Sequence, residues 1–540
     1  MRSSHTTLHS TIFSRISASR GVLGALVLGA VAVAQTASAQ TFATNDSTIR
    51  RIYDEGMNRS ETYPLAQALA DSIGPRLMGS PGIKRGQDWL LSEYSKWGIT
   101  AQNEKYGTWK GWSRGASHLD LLEPRVRTLE ATMLAWSPGT NGKPVTGAVM
   151  AIPDVADSAA FRAWLPQVRG RFVLTSFAEP TCRPDSTWAK YGTPESVTNM
   201  RASRATARAA WARRVANSGY TDRTLPIALE NAGALGVLTS YWSQGYGVDK
   251  IFRARTTKVP TYDVSCEDYG LLARMAANNQ HPTVRMQAES KDMGDAPVFN
   301  TVAEIKGTEK PNEYVMLSAH FDSWDASSGA TDNATGTVTM MEAMRILKKL
   351  YPHPKRTILV GHWSGEEEGL VGSGAFAADH PDIVNNLQAL FNQDNGTGRI
   401  VNISMSGLVG AGAHFGDYFT KLPAEFLSDV RLSFPGQPGG GGSDFASFLC
   451  HGAPGFSLGS LDWEYFAYTW HTNRDTFDKI VFDDLKRNAT MTAMLVYLAS
   501  EDPVKMPREQ RINIQAGRSA TPAVWPTCGV VPRNWGAWTR

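Results

Sequence analysis

Hydrophobic and polar positions follow one another along this chain in three textures. From 47 to 73 the apolar residues recur at helical spacing (IRRIYDEGM, then YPLAQALADSI), and Gly74-Pro75-Arg76 breaks the pattern with a turn. A second amphipathic helix, GQDWLLSEYSKWG, sets Leu90, Tyr94 and Trp97 on one face and stops at Gly98. Strand-like pieces then fill about 100 to 135. From about 140 to 290 short apolar runs (GAVMAI, RFVLTSF, GVLTSY, VPTYDVS) are separated by Gly, Pro and charged residues, and one helix, IALENAGALG, precedes Val237. That texture predicts a β-rich inserted module. Its arginines between Arg201 and Arg214 lie among alanines at helical spacing, which reads as a solvated helix face and not as a nucleic-acid patch.

The third texture is α/β. Tyr314–Ala319 is an apolar run that ends abruptly in His320 and Asp322 and crosses a polar loop to Asp332. A helix from about Asn333 to Leu350 follows, with Val338, Met341, Met344 and Leu347 along one stripe. Next come a strand Thr357–Trp363, a helix near Gly372–Ala378, a strand Leu387–Gln393 and a last helix near Leu485–Ala499. Open α/β sheets gather their ligands at the carboxyl ends of the strands. Here three successive strands end in imidazole or carboxylate: His320 and Asp332 after the first, Glu366-Glu367-Glu368 after the second, Asp394 after the third. His471 sits in an aromatic context beside Tyr468 and Trp470.

Composition narrows the class. The chain has 540 residues, 42% hydrophobic and 19% charged, long enough for two or more globular domains. Residues 1–39 read as a removable signal: Arg2, Arg15 and Arg20, an apolar run Gly21–Ala34 too short to span a bilayer, and Ala37-Ser38-Ala39 before Gln40. The expected mature protein is therefore secreted or periplasmic, without a membrane anchor. Losing those three arginines takes the formal charge from +3 to 0 (3 − 3), which leaves no global basic field for nucleic acid. Four cysteines are too few to be the framework of the fold. Keeping each pair within one domain predicts Cys182–Cys266 and Cys450–Cys528.

The chemistry that suits these residues is specific. Two divalent ions close together need a bridging carboxylate and further nitrogen and oxygen ligands on each. Imidazole and carboxylate without thiolate suit zinc. One glutamate more than the metals need, next to a ligand glutamate, is the mark of a general base. The run Glu366–Glu368 follows a strand apolar enough to be buried, so its first two glutamates are expected to turn into the site.

His320-x-Asp322, Asp332-Asn333, Gly365-Glu366-Glu367-x-Gly369-Leu370-Val371-Gly372-Ser373, Asp394 and His471-x-x-x-Asp475-Thr476 together resemble the co-catalytic di-zinc exopeptidases, the family of secreted aminopeptidases and glutamate carboxypeptidases. GPRLMGSP, FNTVAEIKG, HFDSWD and PKRTILVGHWSGEEEG extend the likeness over most of the chain, toward the glutamate carboxypeptidase branch. The resemblance implies a three-layer α/β/α core with a mixed sheet and an inserted protease-associated domain, to which LENAGALGVLTS is similar. It implies boundaries at 40–139 for the first part of the peptidase domain, 140–295 for the insertion, 296–505 for the catalytic core and 506–540 for a tail on the surface. It implies two Zn2+ ions, one on His320, Asp332 and Asp394, the other on Asp332, Glu367 and His471, with Asp332 bridging. Glu366 would be the general base, Asp322 would orient His320, and the Asp332–Asn333 peptide bond would be cis.

The expected substrate is a dipeptide or short peptide, and the reading leaves room for a homodimer. Trp470 departs from the family pattern at a position that often reaches the substrate carbonyl, and an indole N–H only donates. Asp444, in the loop GGGGSDFASF, is a candidate for the peptide's ammonium, and Arg399 and Arg474 are candidates for an acidic group. The alternatives are an aminopeptidase of the same family, glutaminyl cyclisation on a similar scaffold, and a binding protein without catalysis. The complete two-metal ligand set argues against the last two.

Overall fold

The computed structural model describes residue 42, residues 44–438, 442–512 and 524–539; the expected signal, most of the Gly439–Gly442 run and part of the tail lie outside these. The strands of the core are β9 (Lys310–His320), β10 (Arg356–Trp363), β11 (Leu387–Asn392), β12 (Ile400–Ser404), β13 (Arg431–Ser433) and β14 (Gly455–Ser460). Ahead of them come β1 (Thr100–Glu123), β2 (Arg127–Thr128), β3 (Ala131–Met133), β4 (Val145–Ala151), β5 (Arg171–Leu174), β6 (Gly236–Thr239), β7 (Thr261–Val264) and β8 (Thr283–Ile305).

The central strands β10, β9, β11 and β14 run parallel, and antiparallel β8 and β12 flank them. Every residue of β10 and β11 is buried, as is expected where helices cover both faces of a parallel sheet. On one face lie the helices Ser47–Asn58, Pro81–Lys96, Thr335–Leu350 and Phe482–Glu501. The expected stripe Val338, Met341, Met344 and Leu347 is fully buried there against Val315, Leu317 and Val360. Truncating one such residue to alanine costs about 2–5 kcal/mol. On the other face Trp363, Phe376 and Phe448 pack over Met316 and Leu390. The mixed sheet between two helical layers agrees with the expected core.

The segment 140–295 differs from expectation. Its four apolar runs are the strands β4–β7, but they pair in parallel, with the helix Ser158–Trp164 between β4 and β5, Pro194–Ser218 and Leu225–Asn231 between β5 and β6, and Cys266–Ala277 after β7. Short apolar runs of four residues look alike in a β-sandwich and in parallel α/β units, which is why periodicity misread the segment as β-rich. The arginine stretch lies on the helix Pro194–Ser218 and is mostly exposed. Arg204 is the exception, buried and paired with Glu179 and Asp185.

No linker separates this segment from the core. β8 passes through position 295 without a break, pairing with β4 at one end and β10 at the other, and β1 runs antiparallel along its length. All the described strands join one 14-stranded sheet. Both expected disulfides are present, Cys182–Cys266 and Cys450–Cys528. The tail is anchored as well: Trp535 and Trp538 pack on Trp109 and Trp136. No helix among the described residues is long and apolar enough to cross a membrane.

Candidate metal centre

Sheet register assembles the site. His320 ends β9 opposite Trp363, the last residue of β10, so Glu366 and Glu367 follow three and four residues on. Asn392 of β11 lies opposite Ser318, which brings Asp394 level with His320. The turn after β10 needs Gly365 in a left-handed conformation (φ 80°), where an added Cβ would also stand 2.8 Å from Met78 Sδ. The helix carrying the metal-site loop comes equally close to β11: a Cβ on Gly336 would lie 2.4 Å from Gln393 O.

Two trios of ligand atoms result, His320–Asp332–Asp394 and Asp332–Glu367–His471. They share Asp332, whose two oxygens face different imidazoles. His320 Nε2 is 3.4 Å from Oδ1 and 3.0 Å from Asp394 Oδ1. His471 Nε2 is 3.4 Å from Asp332 Oδ2 and 2.9 Å from Glu367 Oε2. Asp332 Oδ2 and Glu367 Oε1 are buried with no hydrogen-bond donor. Convergent, unsatisfied acceptors and imidazole nitrogens are the donor set a divalent ion with nitrogen and oxygen ligands requires, so the residues fit the expected pair of zinc ions.

The surroundings hold the ligands in place. Asp322 accepts the backbone N–H groups of Glu366 and Glu367, each at 3.2 Å, and so fixes the glutamate turn. Its carbonyl oxygen is 3.1 Å from His320 Nδ1 and its carboxylate 3.6 Å away, so Asp322 positions the turn and the imidazole together. Asp475 accepts the N–H groups of Thr331 and Asp332 at 2.7 and 2.9 Å. Buried Arg76 donates to the carbonyls of Phe321, Ser328 and Gly329 and locks the loop between His320 and Asp332. The Asp332–Asn333 bond is cis, as expected, and His471 adopts φ 59°, which residues other than glycine seldom do.

Electrostatics follow from burial. Burial alone would lower His320, but the charges of Asp394 and Glu366 outweigh it and hold the imidazole well above its usual range. Burial draws His471 down to about 4. Burial would raise Asp332; His320, His471 and the Tyr465 hydroxyl hold it low. Glu366 belongs to neither trio, and burial pushes it well up, His320 opposing and Asp394 and Asp444 adding to the rise. Glu368 departs from the sequence reading, which turned only the first two glutamates inward. It is 5% exposed, both carboxylate oxygens lack a donor, and burial beside Asp322 raises it well above the carboxylate range. Trp538 Nε1 donates to its carbonyl at 2.7 Å.

The remaining candidates divide. Asp444 is fully buried, and among the described residues neither oxygen has a donor at hydrogen-bond distance; burial raises it to about 7, with His320 and the nearby Ser373 hydroxyl opposing and Asp394 adding. Trp470 stacks on His471 with ring centres 3.9 Å apart. Arg399 pairs with Asp429 and Asp484, and Arg474 with Glu130, so neither guanidinium is among the metal-site groups. Lys250, which no sequence signal marked, lies beside the centre: its Nζ donates to Trp470 O at 2.8 Å and sits 4.1 Å from that ring. Burial lowers it to about 8, with Asp332 and Asp263 opposing.

Residues 300–496 match the model of Peptidase family M28. The chain is 27% identical to carboxypeptidase Q of Bos taurus and 26% identical to that of Homo sapiens, each over 85% of this chain and 88% of the relative. In structure it is similar to a Peptidase M28 precursor from Shewanella amazonensis (TM-score 0.62, 21% identity, 86% of this chain and 98% of that one). A zinc aminopeptidase from Bacillus subtilis shares the fold (TM-score 0.52, 19% identity, 83% and 96%).

Proposed function

We propose that this peptidase, whose residues 300–496 match the model of Peptidase family M28, is an exported exopeptidase, carrying two zinc ions, that cleaves dipeptides or short peptides. The observation that carries this reading is the shared Asp332, one oxygen toward each imidazole, with Glu366 beside both trios and a member of neither. His320, Asp332 and Asp394 would hold one ion, and Asp332, Glu367 and His471 the other. Bound there, the ions supply Lewis-acid polarisation of the scissile carbonyl and make water easier to deprotonate. Glu366 takes the proton from the attacking water and returns it to the leaving amine. A carboxylate beside the attacking water can make both transfers. We read 140–295 as the protease-associated insertion.

Two charges suit the two ends of an unblocked dipeptide. Asp444, an unpaired acid on the side of His320 and Asp394, is placed for the ammonium group. Lys250, on the side of His471 and Glu367, is placed for the carboxylate, and it offers a cation where Trp470 offers only an N–H. Zinc content and a substrate panel test the reading: a free dipeptide beside its N-acetylated and C-amidated forms. Two zinc ions per chain, with both blocked forms cleaved slowly, are expected. Fast cleavage of the amidated form would make it an aminopeptidase, and fast cleavage of the acetylated form a strict carboxypeptidase.

A further inference from the structure

A cavity of about 570 Å3, of the size small-molecule sites have, lies between the helix Pro194–Ser218 and the carboxyl ends of β5 and β6. It opens at the carboxyl ends of parallel strands, the end of an α/β sheet at which ligands bind, and its lining comes from the segment 140–295 and Leu134 and not from the metal centre. One wall is apolar, with Leu134, Trp211 and Leu225; another carries Arg253 and Arg255 beside the Tyr241 ring. A third arginine, Arg223, is close enough to act on both. Burial and the charges of Arg255 and Arg223 bring Arg253 down to about 10, and burial and Arg223 lower Arg255.

Like charges so close need a counter-ion, and among the described residues none of these three arginines is ion-paired. Arg253 rests instead on the faces of Trp535 and Trp538, at 5.5 and 4.4 Å. Arg208, also on the wall, has Glu179 at 3.9 Å, and Asp222 is an acid lining the cavity, so the excess of positive charge comes from Arg223, Arg253 and Arg255. Guanidinium groups match carboxylates with paired hydrogen bonds.

We infer that this cavity binds a small carboxylate-bearing ligand with an apolar body, its carboxylate held by Arg253 and Arg255 and its body lying on Trp211 and Leu225. The inference does not depend on the peptidase reading. The carboxylate has two sources, a free organic acid or a peptide end. The second is open because Tyr241 touches Phe252 (ring centres 5.4 Å) and Phe252 touches His471 (5.1 Å), so the cavity adjoins the metal centre.

Calorimetric titration of the zinc-loaded full chain with phenylacetate, its neutral amide and inorganic phosphate tests this. Phenylacetate should bind and the amide should not. Arg253→Gln/Arg255→Gln should weaken phenylacetate binding about tenfold or more while zinc content and melting temperature are retained. Arg255→Gln alone is the milder variant if the pair impairs folding. Equal affinity in the arginine variants would place phenylacetate on zinc and overturn the inference, as would no binding, or phosphate binding as tightly. Peptide kinetics separate the sources. A KM rise in the variants confined to peptides with a free carboxylate assigns it to the peptide. Unchanged kinetics with lost phenylacetate binding assigns it to a free acid.

Discussion

Asp263, near the end of β7 in the inserted segment, and Asp394, just past the end of β11 in the core, are both carboxylates withdrawn from solvent at the carboxyl end of a parallel strand. Asp263 accepts three hydrogen bonds, from Tyr241 N–H and Lys250 N–H at 2.8 Å and from the Thr239 hydroxyl at 3.0 Å. Among the described residues Asp394 has only His320 Nε2, at 3.0 Å, and its neighbours Asp332, Glu367, Glu368 and Asp444 keep buried oxygens with no donor at hydrogen-bond distance. Burial raises Asp263 to about 7 even so. Depth and a raised pKa therefore do not separate a structural acid from a functional one. What differs between these two is the supply of donors around them.

The sharpest way to break this contrast lies among the unsupplied acids. Glu366→Gln should lower turnover roughly 10²–10⁴-fold with zinc retained, because a general base holds a proton and not the metal. Glu367→Gln should instead lose zinc, so metal analysis of the two variants side by side decides their roles. If Glu366→Gln loses stoichiometric zinc or Glu367→Gln keeps all of it, the roles are exchanged.

Stripping zinc with a chelator should destabilise only the core side. Zinc at about 100 times its Kd adds about 2.7 kcal/mol to stability. Hydrogen exchange should quicken in 320–332, 364–371 and 471–476 while the amide of Tyr241, held by Asp263, stays slow. Uniform quickening would erase the distinction.

Asp263→Asn replaces an acceptor with a group that also donates, so one buried N–H loses its partner, at a cost of about 1–3 kcal/mol. Denaturant titration should register that loss with zinc stoichiometry unchanged.

An effect confined to acid pH concerns His362, buried in β10 with Tyr94 Oη 2.7 Å from its Nε2, and drawn by burial from 6.5 to about 3. Above pH 6.5 both folded and unfolded chains hold it neutral. Below that the unfolded chain takes a proton the folded one refuses, so stability falls as pH drops from 6.5 toward 3, by about 1.4 kcal/mol per unit at most. His362→Gln should flatten this part of the profile of melting temperature against pH. An unchanged slope would clear His362 of the effect.

The order of elements in the core and the residues of the two trios were legible because apolar burial and chemistry-bearing side chains coincide there. An apolar strand that stops at His320, Glu366 or Asp394 carries both signals in a few consecutive residues. The parallel pairing of β4–β7 was not legible, since four-residue strands carry no mark of direction. Lys250 and Tyr465 escaped for a related reason: each acts through a neighbour brought by the fold, and neither belongs to a short motif. Arg76 and Asp475 lay inside quoted motifs without a role, because what they hold is backbone. Glu368 was misjudged because an acidic run ordinarily faces water, and Trp538 and Asp322 close over it here.

His471 is tied to the inserted segment through its own main chain. Ile251 N–H donates to His471 O at 2.7 Å, Asn473 N–H to Asp249 O at 3.0 Å, and Lys250 bridges to Thr472. In evolutionary terms the insertion is no detachable accessory. A lineage that trimmed it would set loose His471, a residue of the candidate metal site, and an engineer grafting another module between β3 and β8 would have to supply a new backbone clasp for that histidine before any change of specificity could be read.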